Sequence, residues 1–354
     1  MKKFLLNASS GIGDIMFFLP AVLALKETYP DSQIGFLFRG DETTKETVSS
    51  ILSIAHNKID DLQYYNNSNF IVLLQLKLQK YEYGMILKYD GQSKSVWAAL
   101  ILKLVGCKTI ALDGYVKENQ YIDNIVPVAK RENIHNVDRC FECLKYFGIN
   151  SEYNENIYYR RIFNKEKIEK TYTQLNLGLS NEEFIVLCVG ANKVSFKING
   201  KYKSNDVKNW PIENWIVLAN SLNKENIRVV LVGGKNDIKK IIDCKERLDN
   251  SILNLVGRMN IAESISILEY AKMVVGCDTG LMHCAASLNK RTLMLLGGIT
   301  PIQAQGYGKN SESIYLHKQC SPCFGTGKDV FCNDPVCMKE ISVENVLERI
   351  LNIC

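Results

Sequence analysis

The chain has 354 residues, 46% of them hydrophobic and 23% charged. That is a globular balance with length enough for two hydrophobic cores, and no low-complexity tract or short-period repeat interrupts it. The net charge of +5 and pI near 8.5 suit an anionic ligand or contact with a membrane surface. They are too small to argue for nucleic acid, and no nucleic-acid partner is expected.

The chain opens with "KKFLLNA", a short apolar strand, followed by the turn "SSGIGD" and the helix "DIMFFLPAVLALKETYP". Pro20 falls in the second turn of that helix and is expected to kink or loosen it. Two lysines before an apolar run resemble a secretory leader. The run "MFFLPAVLAL", however, begins only after Gly11, Gly13 and Asp14, and a helix end, a turn and the strand "QIGFLFRG" follow it. No run reaches the roughly 20 apolar residues of a membrane span, so the expected location is the cytoplasm.

Further on, "YGMILKYD" and "TIALDG" read as strands with the helix "SVWAALILKLVG" between them, and "NVDRCFECLKYFGI" reads as a helix. A polar stretch, "NSEYNENIYYRRIFNKEKIEK", marks a boundary, giving domains 1–160 and 161–354. The alternation then restarts. "FIVLCVGA", "IRVVLVGG", "MVVGCD" and "RTLMLLGG" read as strands. "PIENWIVLANSLNKE", "NDIKKIIDCKERL", "AESISILEYA", "TGLMHCAASL" and the closing "SVENVLERILNIC" read as helices. Strands alternating with helices predict two α/β domains, each a doubly wound parallel sheet, with ligands at the carboxyl ends of the strands.

The residues just after those strands carry the candidate chemistry. Asp14 follows the Gly11-Ile12-Gly13 turn at the mouth of the first helix. It reads either as an N-cap carboxylate or as a general base kept ionised by the helix N-terminus. Asp278 and Thr279 follow "MVVGC" where the next helix opens. One reading makes them helix caps. The other lets the free amides at Thr279, Gly280 and Leu281 hold a diphosphate while Asp278 holds sugar hydroxyls. His283, one turn in, reads as a structural or a catalytic histidine.

Twelve cysteines are present. Eight are scattered through strands and helices and read as buried free thiols. The other four, Cys320, Cys323, Cys332 and Cys337 in "CSPCFGTGKDVFCNDPVCM", have spacing that suits a tetrahedral structural zinc or iron site, or are reduced and unliganded. The segment "KVSFKINGKYKSNDV", with Lys193, Lys197, Lys201 and Lys203, reads as a charged solvated loop or as a mobile flap that gathers phosphate charge.

"GIGDIMFFLPAVLALKETYPDSQIGFL", "YDGQSKSVWAALILKLVG", "VKNWPIENWIVLANSL", "VVLVGGKNDIKK" and "GCDTGLMHCAASLNKRTLMLLGG" occur in this order. Together they resemble glycosyltransferase family 9, the heptosyltransferases of lipopolysaccharide core synthesis. The resemblance implies the GT-B fold, two Rossmann-like doubly wound domains facing across a cleft. The N-terminal domain would take the acceptor and the C-terminal domain the nucleotide sugar. It implies inverting transfer of heptose from ADP-heptose to a sugar hydroxyl of the lipopolysaccharide or lipooligosaccharide core, with no catalytic metal or other cofactor. By the same resemblance Asp14 matches the catalytic base, with Gly11 and Gly13 on the acceptor side. Lys208 matches a diphosphate-binding lysine. Asp237 matches a ribose-contacting acid, where the family commonly carries Glu. Asp278 matches the sugar-binding aspartate, with Thr279, Gly280 and His283 beside it, and Gly190 falls on the donor side. Such an enzyme would work at the inner face of the inner membrane. Open beside this reading are an acceptor protein in place of the core sugar, another nucleotide sugar as donor, a nucleotide-sugar epimerase and a non-catalytic nucleotide-sugar binder.

Overall fold

A computed structural model describes residues 1–56, 58–88, 92–112, 120–129, 133–149, 159–179, 183–198, 201–242, 247–323 and 331–353. The chain divides into two compact units, Met1–Asn164 and Lys165–Cys354. The polar stretch expected to hold the boundary lies partly outside the described residues, at 150–158.

The first unit runs β1 (Lys3–Ala8), α1 (Ile12–Thr28), β2 (Gln33–Arg39), α2 (Glu42–Ile54), β3 (Asp61–Tyr65), α3 (Ile71–Leu78), β4 (Tyr83–Lys88), α4 (Gln92–Val105), β5 (Lys108–Leu112), β6 (Asn124–Val126) and α5 (Asn136–Glu142). Its strands pair in parallel in the order β3-β2-β1-β4-β5-β6. β1 and β2 read as near-continuous apolar runs because helices cover both faces of a parallel sheet. α1 is buried at every position from Ile15 to Leu25 and continues on both sides of Pro20. The helix expected from "NVDRCFECLKYFGI" is α5 followed by a 3-10 turn, Cys143–Phe147, which Gly148 ends.

The second unit runs α6 (Lys165–Leu175), β7 (Phe184–Cys188), β8 (Val194–Ile198), β9 (Lys201–Asn205), α7 (Ile212–Lys224), β10 (Arg228–Val232), α8 (Ile238–Ile242), β11 (Leu253–Asn254), α9 (Ile261–Tyr270), β12 (Met273–Cys277), α10 (Gly280–Ser287), β13 (Arg291–Leu296), α11 (Pro301–Ala304), β14 (Ser311–Tyr315), α12 (Val336–Lys339) and α13 (Val343–Ile353). Its main sheet repeats the plan of the first, in the order β11-β10-β7-β12-β13-β14, all parallel. α7 buries Trp215, Ile216, Leu218, Ala219 and Leu222, the one-sided spacing of an amphipathic helix. α13 packs beside it, and both join the core formed by β7, β10, β12 and β13.

One expectation needs correction. The lysine-rich segment after "VGAN" is a hairpin, β8 paired with β9 antiparallel, and not a loop. The helix expected from "NDIKKIIDCKERL" begins as a 3-10 turn and continues as α8, and its expected residues 243–246 lie outside the described ones. Of the eight scattered cysteines, the six described (Cys107, Cys140, Cys143, Cys188, Cys277 and Cys284) are buried free thiols. Among the described residues no helix is long and apolar enough to cross a membrane.

Candidate functional site

In the second unit the first and fourth strands, β7 and β12, lie side by side. Connections leave them in opposite directions, so a crevice opens at their carboxyl ends. That adjacency explains the central contact. Lys208, on the approach to α7, places Nζ 2.6 Å from Oδ2 of Asp278, the residue after β12. The other carboxylate oxygen, Oδ1, lies 3.3 Å from Nε2 of His283, and that ring is buried on α10. Burial opposes ionisation of Asp278. The Lys208 ammonium and the His283 hydrogen bond overcome it, and the carboxyl is held well below the ordinary aspartate range.

Thr279 is the N-cap residue of α10, yet its side chain makes no capping bond. Its Oγ1 is buried and meets no hydrogen-bond partner among the described residues. A buried hydroxyl without a partner is costly, and here it stands where the amides of Gly280 and Leu281, the first two of α10, have no intrahelical acceptor. Asp278, Thr279, Gly280, His283 and Lys208 are thus brought together. The arrangement offers a cation, a hydroxyl, helix amides and an ionised carboxylate, the donors and acceptors that a phosphorylated sugar needs.

Gly190 and Asp237 form a second contact. Gly190 has φ +98, and a Cβ there would fall 2.2 Å from Asp237 Oδ1. Only glycine permits both the left-handed backbone and this approach. Asp237 is itself aimed by the Gly234 amide, which donates to its Oδ2 at 3.1 Å. Both residues line a cavity of about 300 Å³ with Asp206, Asn209, Trp210, Pro211, Trp215, Pro335 and Lys339 among its walls.

Asn209 was not singled out from the sequence. Its Oδ1 accepts from the Ala191 amide at 2.6 Å, and its Nδ2 donates to the Ala191 carbonyl at 2.8 Å and to Asp206 Oδ1 at 2.9 Å. It thereby ties the strand end carrying Gly190 to the turn carrying Lys208. The only trace of that role in the sequence is its place between Lys208 and Trp210.

Asp14 lies in the first unit, after β1. It is not the N-cap residue that one reading predicted. Gly11 holds that position in extended backbone (φ −62, ψ 140) with no side-chain cap, and Asp14 is the third residue of α1. Gly11 is therefore not a left-handed turn residue, and Gly13 lies inside α1. What Gly11 provides is room, since a Cβ there would approach Asp14 Oδ2 to 3.1 Å. The carboxylate thus folds back over the helix start, where the exposed amides favour negative charge.

Cys320, Cys323, Cys332 and Cys337 line one cavity of about 110 Å³ with Ser321, Phe331 and Asp334. Residues 324–330 between them lie outside the described ones. Burial pushes the Cys323 thiol up to about 11, and the neighbouring thiols add to the effect. The donor set suits a soft metal, but among the described residues no three His, Cys, Asp or Glu side chains are placed to hold one. None of the four forms a disulfide. The segment is fastened to the sheet by backbone and side chain: the Cys323 amide donates to the Gly298 carbonyl at 3.0 Å, and Ser321 Oγ donates to the Gly297 carbonyl.

Comparison with known proteins adds a family. The model described as "Glycosyltransferase family 9 (heptosyltransferase)" matches residues 71–332. Lipopolysaccharide heptosyltransferase 1 of Salmonella typhimurium is 32% identical over 120 residues, 34% of this chain and 36% of that protein. The chain thus spans about a third of the length of the curated relatives it matches. Over the whole length, the fold matches the structure titled E. coli ADP-heptose lps heptosyltransferase II (TM-score 0.71, 18% identity, 100% of this chain and 98% of that one). It also matches E. coli heptosyltransferase WaaC with ADP-2-deoxy-2-fluoro heptose (TM-score 0.68, 17% identity, 99% and 100%). The two doubly wound units are those of the GT-B fold.

Proposed function

The chain belongs to glycosyltransferase family 9, and from that premise we propose that it transfers heptose from ADP-heptose to a sugar hydroxyl of a lipopolysaccharide or lipooligosaccharide core. The observation that carries the reading is the Lys208–Asp278–His283 cluster at the start of α10, with the buried Thr279 hydroxyl beside it. It is an arrangement of charges built before any ligand arrives, which is what stabilising a diphosphate leaving group requires.

In this reading Lys208 and the α10 amides take the diphosphate, Asp278 takes hydroxyls of the transferred sugar, and Asp237 with Gly190 takes the ribose. Asp14 accepts the proton of the acceptor hydroxyl as that oxygen bonds to the anomeric carbon. The bond to the β-phosphate oxygen breaks with inversion, and ADP leaves with the bonding pair. Lys208 already neutralises Asp278 and thereby lets a dianionic group approach a carboxylate that would otherwise repel it.

Calorimetry with purified protein tests the donor assignment by comparing ADP-heptose with ADP, ADP-glucose and UDP-sugars. Selective binding of ADP-heptose is expected. Preference for a UDP-sugar, or no binding, would leave the fold standing and remove the heptosyl reading.

A further inference from the structure

Helices α3 and α4 of the first unit carry more apolar surface than the unit covers. α3, "IVLLQLKL", turns Val72, Leu73 and Leu76 inward and buries them. Its opposite side is also apolar: Phe70 at the N-cap, Ile71, Leu74 and Leu78 are all more than half exposed, Leu78 at 82%. α4 packs against α3. It buries Ala98, Ala99, Ile101, Leu102 and Val105, and leaves Trp97 at 60% exposure and Leu104 at 55%, two turns apart on one stripe. Single exposed apolar side chains are ordinary. Six large ones on two neighbouring helices form a face, and a helix that is apolar all round belongs in an apolar setting on both sides.

The charges carried by the two helices themselves have one sign. Neither α3 nor α4 contains an aspartate or glutamate. Lys77 and Lys80 are exposed at the end of α3. Lys80 takes φ +55, a left-handed conformation that glycine or asparagine fills at less cost. A residue selected for backbone alone would not be lysine, and what it retains is a cation at the rim of the apolar face.

We infer that the α3–α4 face docks on the surface of a bilayer containing anionic lipid. Phe70, Ile71, Leu74, Leu78 and Leu104 would enter the boundary between headgroups and acyl chains. Trp97 would sit at the level where its ring is favoured, and Lys77 and Lys80 would meet lipid phosphates. A second copy of the chain fits less well. A two-fold contact sets each face against itself, which brings like-charged lysine rims together with no carboxylate on either helix to answer them. The inference rests on the first unit alone. A docked protein that binds no ADP-heptose would overturn the donor reading and leave this one standing.

The test uses the full chain with vesicles of phosphatidylglycerol and phosphatidylethanolamine, and with phosphatidylcholine vesicles as reference. The protein has three tryptophans. Trp210 and Trp215 are buried, so a change in emission reports Trp97. Expected are a blue shift and quenching by brominated lipid with the anionic vesicles. Leu74→Gln/Leu78→Gln should weaken vesicle binding about tenfold or more, and Lys77→Gln/Lys80→Gln should reduce both the affinity and its salt dependence. Both pairs are at exposed positions, and an unchanged thermal midpoint and circular dichroism establish that the variants fold. No blue shift with anionic vesicles, or equal binding by the folded leucine variant, would overturn the inference. So would a light-scattering mass of two copies that the leucine variant returns to one, which assigns the face to self-association.

Discussion

The two sheets share one strand order, with the first strand beside the fourth, yet their switch points are furnished differently. In the second unit candidate site residues follow both central strands: Gly190 after β7 and Asp278 after β12. Protein contacts hold the charged participants, the Asp278 carboxylate by Lys208 and His283 and the Asp237 carboxylate by the Gly234 amide beside Gly190. In the first unit Asp14 follows β1 and leans on the small Gly11, and the residues after β4, 89–91, lie outside the described ones. A group that binds charge gains from counter-charges set in place beforehand. A group that takes a proton has a different need, since a cation held against a carboxylate weakens it as a base. Asp278, held ionised by a lysine, suits the first task and is a poor candidate for the second.

The largest expected effect separates the two carboxylates. Asp14→Asn should lower turnover by about 10²- to 10⁴-fold while calorimetric donor affinity stays within about twofold, since the reading gives Asp14 no donor contact. Normal turnover in this variant would remove it as the base. Asp278→Asn should do the reverse and weaken donor binding first, and unchanged donor affinity would break the contrast between the two.

Next comes stability. Lys208→Met leaves the Asp278 carboxylate largely buried with only His283 beside it, and should cost on the order of 3 kcal/mol in urea denaturation. Adding Asp278→Asn to Lys208→Met should restore part of that loss, because the stranded charge is gone. If the double variant is as unstable as the sum of the two single ones, the pair is not coupled as the 2.6 Å contact indicates.

The same pair fixes a pH dependence. The Asp278 carboxyl titrates lower in the folded chain than in the unfolded one, so the unfolded state takes up its proton first as pH falls. The stability it contributes is complete above the unfolded value of about 4 and declines below it, towards the folded value. The stability difference between the native chain and Asp278→Asn should therefore be constant from pH 8 to about 5 and should narrow below about pH 4. A difference that persists unchanged into stronger acid would show that Asp278 is not held ionised by its neighbours.

Much of this architecture was legible as sequence because β7, β10, β12 and β13 are apolar runs closed by Gly or Asp. The elements between β2 and β4 were not. β3, "DLQYY", buries only Tyr65, so it lacks the hydrophobic signal of an inner strand. α3 is apolar on both faces and shows no helical contrast. The hairpin was in plain view: Asn199-Gly200 separates β8 from β9, and Asn-Gly between two runs is a strong hairpin signal. Its lysines drew the reading toward a loop instead. Asp278 and Lys208 could each be found by their place after a strand or before a helix. That they meet could not, because the contact depends on β12 pairing with β7 rather than with a strand nearer in sequence.

The smallest effect decides between the two readings of that lysine-rich segment. Lys193 enters the hairpin and pairs with Asp206 at 3.7 Å, with both side chains well exposed. Water and salt screen such a pair, so Lys193→Ala should change stability by less than about 0.5 kcal/mol. Asp206, however, also accepts from Asn209, which holds the Ala191 peptide, so the hairpin's entry is connected to the strand end carrying Gly190. If the hairpin is only a solvated surface, donor affinity in Lys193→Ala stays within about twofold at low and moderate salt. If it gathers charge over the donor, affinity falls several-fold at low salt and the deficit shrinks as salt rises, while the melting temperature does not move. Calorimetric titration at two ionic strengths separates these outcomes, because the stability change expected from the exposed pair is too small to account for a several-fold loss of binding.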